Sequence, residues 1–184
     1  LFRSVATTGE EGSGNLHGAR HLFATTAAGA HSAIALDGAG DERVVTHALG
    51  TRRYRIRFAG PGGHSWASYG VVNAIHAAST LAAYLASWPL PTAPRTALTV
   101  SRISGGSAVN AIPADAWLEV DVRSTSGGEL DRLDDEIHAT AQRVIETHNR
   151  QRRPGTPTLQ MAVEVTGDRP GGALPGDAFI AHAA

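Results

Sequence analysis

Hydrophobic positions change period several times along this chain, and each change marks an element. Tyr54, Ile56 and Phe58 alternate with Arg53, Arg55 and Arg57, which predicts a half-buried strand with one basic face. Val71, Ile75, Ala78, Ala82 and Leu85 then recur at helical spacing, predicting a helix over 68–86 that Pro89 and Pro91 stop. Thr96 to Ile103 reads as a strand and 104–113 as a Gly-rich loop, after which Ala116, Leu118, Val120 and Val122 alternate cleanly. Leu130, Leu133, Ile137, Ala141 and Val144 mark a second helix, and beyond the polar linker 150–157 Leu159, Met161, Val163 and Val165 alternate again. From Thr51 to Thr166 the order is therefore βαββαβ, a ferredoxin-like antiparallel sheet with two helices on one face.

The segment before it reads differently. Leu1 to Thr8 predicts a strand, Asn15 to Ala27 a helix, His31 to Leu36 a short apolar strand and Arg43 to Ala48 another. Strand, turn, helix, strand suggests a parallel α/β layer, in which ligands sit at the carboxyl ends of strands. Glu10, Glu11 and Asp37 all fall at such ends. Gly9-Glu10-Glu11-Gly12 places two mutually repelling carboxylates in a glycine-bracketed turn, an arrangement that calls for a cation. An acidic helix start complementing the helix dipole accounts for the same residues.

Composition narrows the classes. With 42% hydrophobic and 18% charged residues in 184, the chain reads as soluble and globular, large enough for a real core. A formal charge of −1 gives no global basic field for nucleic acid or acidic lipid, so neither nucleic acid nor membrane is an expected partner. All 16 basic residues are Arg, a coding bias rather than a functional signal. The absence of cysteine removes disulfides, thiolate zinc sites and cysteine nucleophiles together. No charged leader followed by an apolar core is visible, and a cytoplasmic location is expected.

The order TGEEGSG, ALDG, GPGGHSW, GGSAVNAIPADAWLEVDVRS and GDRPGG resembles the zinc-dependent exopeptidases and amidohydrolases that include aminoacylase, carboxypeptidase G and peptidase T. The peptidase-T-like branch is the nearer, through 60–66, Gly-Pro-Gly-Gly-His-Ser-Trp. The resemblance implies a di-zinc catalytic domain interrupted by a βαββαβ lid that also forms a homodimer. Residues 1–49 would then be a partial catalytic α/β domain, 50–166 the lid, and 167–184 the return into the catalytic domain. It implies Glu10 as the general base, within hydrogen-bond reach of a zinc-bridging water, with Glu11 a ligand of one zinc and Asp37 of the other. His64 would reach into the partner subunit's active site and hold the substrate carbonyl oxygen. Asn110 and Arg123 would bind the free carboxylate of a small peptide or N-acyl amino acid, a task that suits the planar guanidinium fork. A pair with Asp121, two positions away on the same strand face, is the other reading of Arg123.

The resemblance places the family's first zinc histidine and bridging aspartate upstream of Leu1, and a further histidine downstream of Ala184. Two acids without these partners are expected to hold zinc weakly, so the chain is expected to bind none and to be inactive by itself. Dimerisation through the helix over 68–86 and a neighbouring edge strand is the expected role of the isolated chain, and a non-enzymatic ferredoxin-like binding module is the alternative. His17 and His21, four apart, are better explained by an exposed helix face than by a metal. A phosphate loop at 9–14 fails on charge. An RNA platform of Arg53, Arg55, Arg57, Tyr54, Phe58 and Trp117 is opposed by Glu119 and Asp121, which share the strand face of Trp117.

Overall fold

The computed structural model describes residues 3–10, 12–37 and 44–180. A 3-10 turn at Gly12–Gly14 leads into α1 (His17–Ala24), and β1 (His47–Ala48) is followed by β2 (Gly50–Ala59), β3 (Gly63–His64) and α2 (Ala74–Ala86). Then come β4 (Thr96–Gly105), β5 (Ala111–Ile112), β6 (Asp115–Ser124), α3 (Gly127–Gln151), β7 (Gln160–Arg169) and β8 (Gly172–Ala173). The four long strands form one antiparallel sheet in the order β4-β6-β2-β7, the arrangement that the βαββαβ reading predicts.

Alternation decides which face is covered. Tyr54, Ile56 and Phe58 of β2 and Leu118, Val120 and Val122 of β6 are buried against Ala77, Ala78 and Leu81 of α2 and Leu133, Ile137 and Ala141 of α3. Each large side chain in this layer contributes roughly 1.5–3 kcal/mol through its burial. Asn73 caps α2 by accepting from the His76 amide at 3.1 Å, and Ser126 caps α3 by accepting from that of Glu129 at 3.4 Å. Buried Ser124 is satisfied by the Thr96 hydroxyl at 3.0 Å and the Ser126 amide at 3.1 Å. Among the described residues no buried side-chain polar atom lacks a partner.

Three expectations change. Of the strands expected at 1–8 and 31–36, residues 3–8 and 31–36 form none, because an extended segment becomes a strand only when a neighbour supplies a ladder and no described strand pairs with them; Leu1 and Phe2 lie outside the described residues. Of the strand expected at 43–48, only His47–Ala48 forms, pairing with Gly172–Ala173, and Arg43 lies outside the described residues. The helix expected over 68–86 is α2, which starts at Ala74 rather than near Ser68. Residues 65–70 are turns ending at Gly70, whose φ of 82° belongs to the left-handed region, and the Asn73 cap follows. The buried stripe is accordingly Ala74, Ala77, Ala78, Leu81 and Leu85, with Val71, Ile75 and Ala82 on its margin.

Candidate functional site

The predicted site residues collect at two opposite ends of the sheet. At the end where β2 begins and β6 and β7 finish, the turn that carries Glu10 is closed by backbone bonds, with the His17 amide donating to Gly9 O and the Gly18 amide to Thr8 O, both at 3.0 Å. Gly9 has φ 71°, and a Cβ on Gly18 would stand 2.4 Å from Thr8 O, so glycine is required at both positions. The turn is tied to the sheet by arginines. Arg169 donates to Glu10 O, and Arg53 donates to Gly12 O at 3.1 Å. Arg53 also pairs with Asp121 at 2.9 Å, whose second oxygen takes the Arg123 guanidinium at 2.6 Å. Asn15 and Arg20 occupy the outward backbone groups of Asp168, the Asn15 side chain accepting from its amide at 3.2 Å and Arg20 donating to its carbonyl. Glu10 and Arg123 thus share one end of the fold, linked through Arg53 and Asp121.

The acidic donors do not assemble. Glu10 and Asp37 are both exposed, Glu11 lies outside the described residues, and His17 and His21 stand on the exposed side of α1. Among the described residues no three of His, Cys, Asp and Glu converge as a metal site would require. The described donors therefore form no metal site by themselves.

At the other end β3 pairs with β5, setting His64 opposite Ala111, and the Ser65 amide donates to Asn110 O at 2.9 Å. His64 is exposed, and its Nδ1 accepts from the amides of Trp66 at 3.2 Å and Ala67 at 3.4 Å. An Nδ1 held as an acceptor leaves the neutral ring protonated at Nε2, a donor suited to an oxygen that gains negative charge. Trp66, Tyr69 and Val109 are exposed by 86%, 78% and 105%, so the segments carrying His64 and Asn110 present apolar side chains to the surface. The two proposed carboxylate ligands are not brought together. Asn110 precedes β6 and Arg123 nearly ends it, and the strand rise from Asp115 to Arg123 alone separates these ends by about 27 Å.

Between the ends, the open face of the sheet is charge-compensated. Glu119 takes Arg55 at 2.5 Å and Arg102 at 3.1 Å, and both guanidinium groups lie over Trp117, at 5.0 and 5.1 Å from the ring centre. Partial burial raises the Glu119 pKa, but the two arginines outweigh it and hold the carboxyl below its ordinary range. Sequence reasoning missed the clamp made by Asn15, Arg20 and Arg169. Arg169 lies in GDRPGG, one of the motifs that carry the resemblance, but its partner, the carbonyl of Glu10, is 159 positions away.

No helix of the described residues is long and apolar enough to cross a membrane. No curated protein matches the chain. Solved structures with a similar fold include an amidase of the hydantoinase/carbamoylase family from Burkholderia multivorans, 22% identical with a TM-score of 0.61 over 71% of this chain and 30% of that one. An aminobenzoyl-glutamate utilization protein from Klebsiella pneumoniae is 20% identical, with a TM-score of 0.56 over 72% of this chain and 32% of its own. The chain spans about a third of the length of such structures. Residues 46–149, more than half of the sequence, match the family described as the peptidase dimerisation domain, and the chain belongs to that family.

Proposed function

We propose that this chain is the dimerisation lid, with part of the catalytic domain, of a zinc-dependent hydrolase that cleaves peptide or N-acyl amide bonds beside a free carboxylate. The single observation that carries this reading is the division of the candidate residues between two ends of one sheet. Arg123 shares an end with Glu10, and His64 shares the far end with Asn110. One small substrate cannot span about 27 Å, so a single chain does not complete the site. In a two-fold dimer each active site takes Glu10 and Arg123 from one subunit and His64 and Asn110 from the other, and the apolar surface around His64 is covered in the process. Glu10 accepts the proton of the attacking water, His64 Nε2–H donates to the substrate carbonyl oxygen, and Arg123 and Asn110 hold the free carboxylate.

The dimer surface follows from the edges. Asn15 and Arg20 close β7 at Asp168, whereas β4 has no described partner on its outer side. Beside β4, α2 presents Ile75, Ser79, Ala82 and Ala86 on the flank opposite Thr80 and Tyr84, which face α3. Two copies joined through β4 and this small-residue flank extend the sheet and bury both helices.

The 184-residue chain lacks a complete donor set and is inactive alone; stoichiometric zinc together with turnover of N-acyl amino acids or dipeptides would overturn this. In the complete enzyme, mixing His64→Ala with Arg123→Ala subunits restores about a quarter of wild-type activity, because half of the dimers are mixed and one of their two sites is intact. No recovery on mixing would place all four residues in one subunit's site and refute the reading.

A further inference from the structure

A second feature of the lid is a cavity of about 380 Å³ between the His64 loop, the start of α2 and the end of α3, lined by residues that include Ser65, Asn73, His76, His148, Gln151 and Arg152. Three of these side chains carry or can take a positive charge, three offer amide or hydroxyl groups, and no carboxylate is among the lining residues. The Arg153 amide holds the rim by donating to Gly70 O at 2.8 Å. Two bonds, from Nε to Thr156 O at 2.9 Å and from Nη1 to Asn149 O at 2.7 Å, fix the Arg152 guanidinium, and among the described residues its Nη2 makes no hydrogen bond.

The tautomer of His148 is determined by its neighbour. The Thr80 hydroxyl donates its one hydrogen to His76 O at 2.8 Å, so in the 3.2 Å contact between His148 Nε2 and Thr80 Oγ1 the imidazole is the donor. Nδ1 is then the atom at which His148 gains a proton. From these groups we propose that the cavity is a binding site for a small oxyanion of the inorganic phosphate class, held by Arg152 and by His76 and His148 in their protonated forms. The charged and titratable groups facing it are His76 from α2, His148 from α3 and Arg152 from the end of α3; β5 contributes only Ile112, and the loop contributes Ser65, Gly70, Val71 and Val72. Without an anion, burial and the neighbouring His76 keep the His148 pKa below its ordinary value, so binding is coupled to proton uptake and strengthens as pH falls. Because Ser65 follows His64, an occupied cavity also steadies the loop that presents His64.

The test uses the 184-residue chain and follows the His76 and His148 ring resonances by NMR during titration with inorganic phosphate, with acetate as a second arm, at constant ionic strength and at pH values on both sides of the ordinary histidine pKa. Saturable phosphate shifts in both rings, with raised pKa values and tighter binding at the lower pH, are expected. His76→Gln, at an exposed position, and Arg152→Gln should each weaken phosphate binding by about tenfold or more, the scale of one lost charge-assisted bond. A saturable acetate response as well would widen the class to oxyanions generally. Shifts that do not saturate, or binding unchanged by both substitutions, would overturn the proposal.

Discussion

Replacing Tyr54 by Phe removes one oxygen from the centre of the fold and leaves the packing intact. The Tyr54 ring is 1% exposed in β2, and its hydroxyl donates to Asp134 Oδ1 of α3 at 2.6 Å. Burial first, and then the neighbouring carboxylate, pushes the phenol well above its ordinary pKa, so the group is a donor at every accessible pH. Hydrogen bonds to charged acceptors contribute about 1.5–3 kcal/mol. The Asp134 side chain is 29% exposed and keeps Arg52 and His138 at 3.8 Å, so it recovers part of the loss from water and these neighbours. The lower part of that range, about 1.5–2 kcal/mol, is expected, with no cavity contribution because the phenyl ring stays. By thermal unfolding this is a fall in Tm of about 3–8 °C for a chain of this size. A double-mutant cycle with Asp134→Ala should show a coupling of about 1–2 kcal/mol; additivity within about 0.5 kcal/mol would refute the claim that this bond pins α3 to the central strand.

Two further outcomes follow from the geometry. Glu119 has a folded pKa below its unfolded value, so its stabilisation is full above the ordinary carboxylate range and is lost as pH falls through the folded value. Glu119→Gln should therefore lower stability at neutral pH and flatten the acid side of the pH–stability profile; an unchanged acid limb would contradict the pairing with Arg55 and Arg102. Gly70→Ala should destabilise by at least about 1 kcal/mol in denaturant unfolding, because φ is 82° and the new Cβ would lie 2.6 Å from that of Arg153. A neutral effect would show that this loop is not fixed as described.

How much of this was legible depended on whether a residue's partner is implied by local pattern. β6 and α3 were, because Leu118, Val120 and Val122 alternate and Leu130, Leu133, Ile137, Ala141 and Val144 keep one face, and every one of them is buried. The segments at 1–8 and 31–36 carried the same kind of signal, but their described residues have no described partner strand, since composition specifies a willingness to pair and not a neighbour. The family motifs pointed to Glu10, His64, Asn110 and Arg123, and the alternation over Ala116 to Val122 already set a strand between Asn110 and Arg123, but that Glu10 lies at the Arg123 end depends on the packing of the turn through Arg53 and Arg169. The cavity beside His64 was invisible for the same reason, because His76 and His148 meet only after two helices pack.

The central claim is that two copies join through β4 and the exposed flank of α2. Sedimentation equilibrium on the wild-type chain and on Ser79→Arg with Ala86→Arg tests it most directly, since both residues are exposed in the single chain and neither supports its core. A wild-type mass of two chains falling to one in the double variant, with the circular dichroism spectrum unchanged, is the predicted result. A wild-type monomer at high concentration, or a dimer indifferent to both arginines, would contradict it.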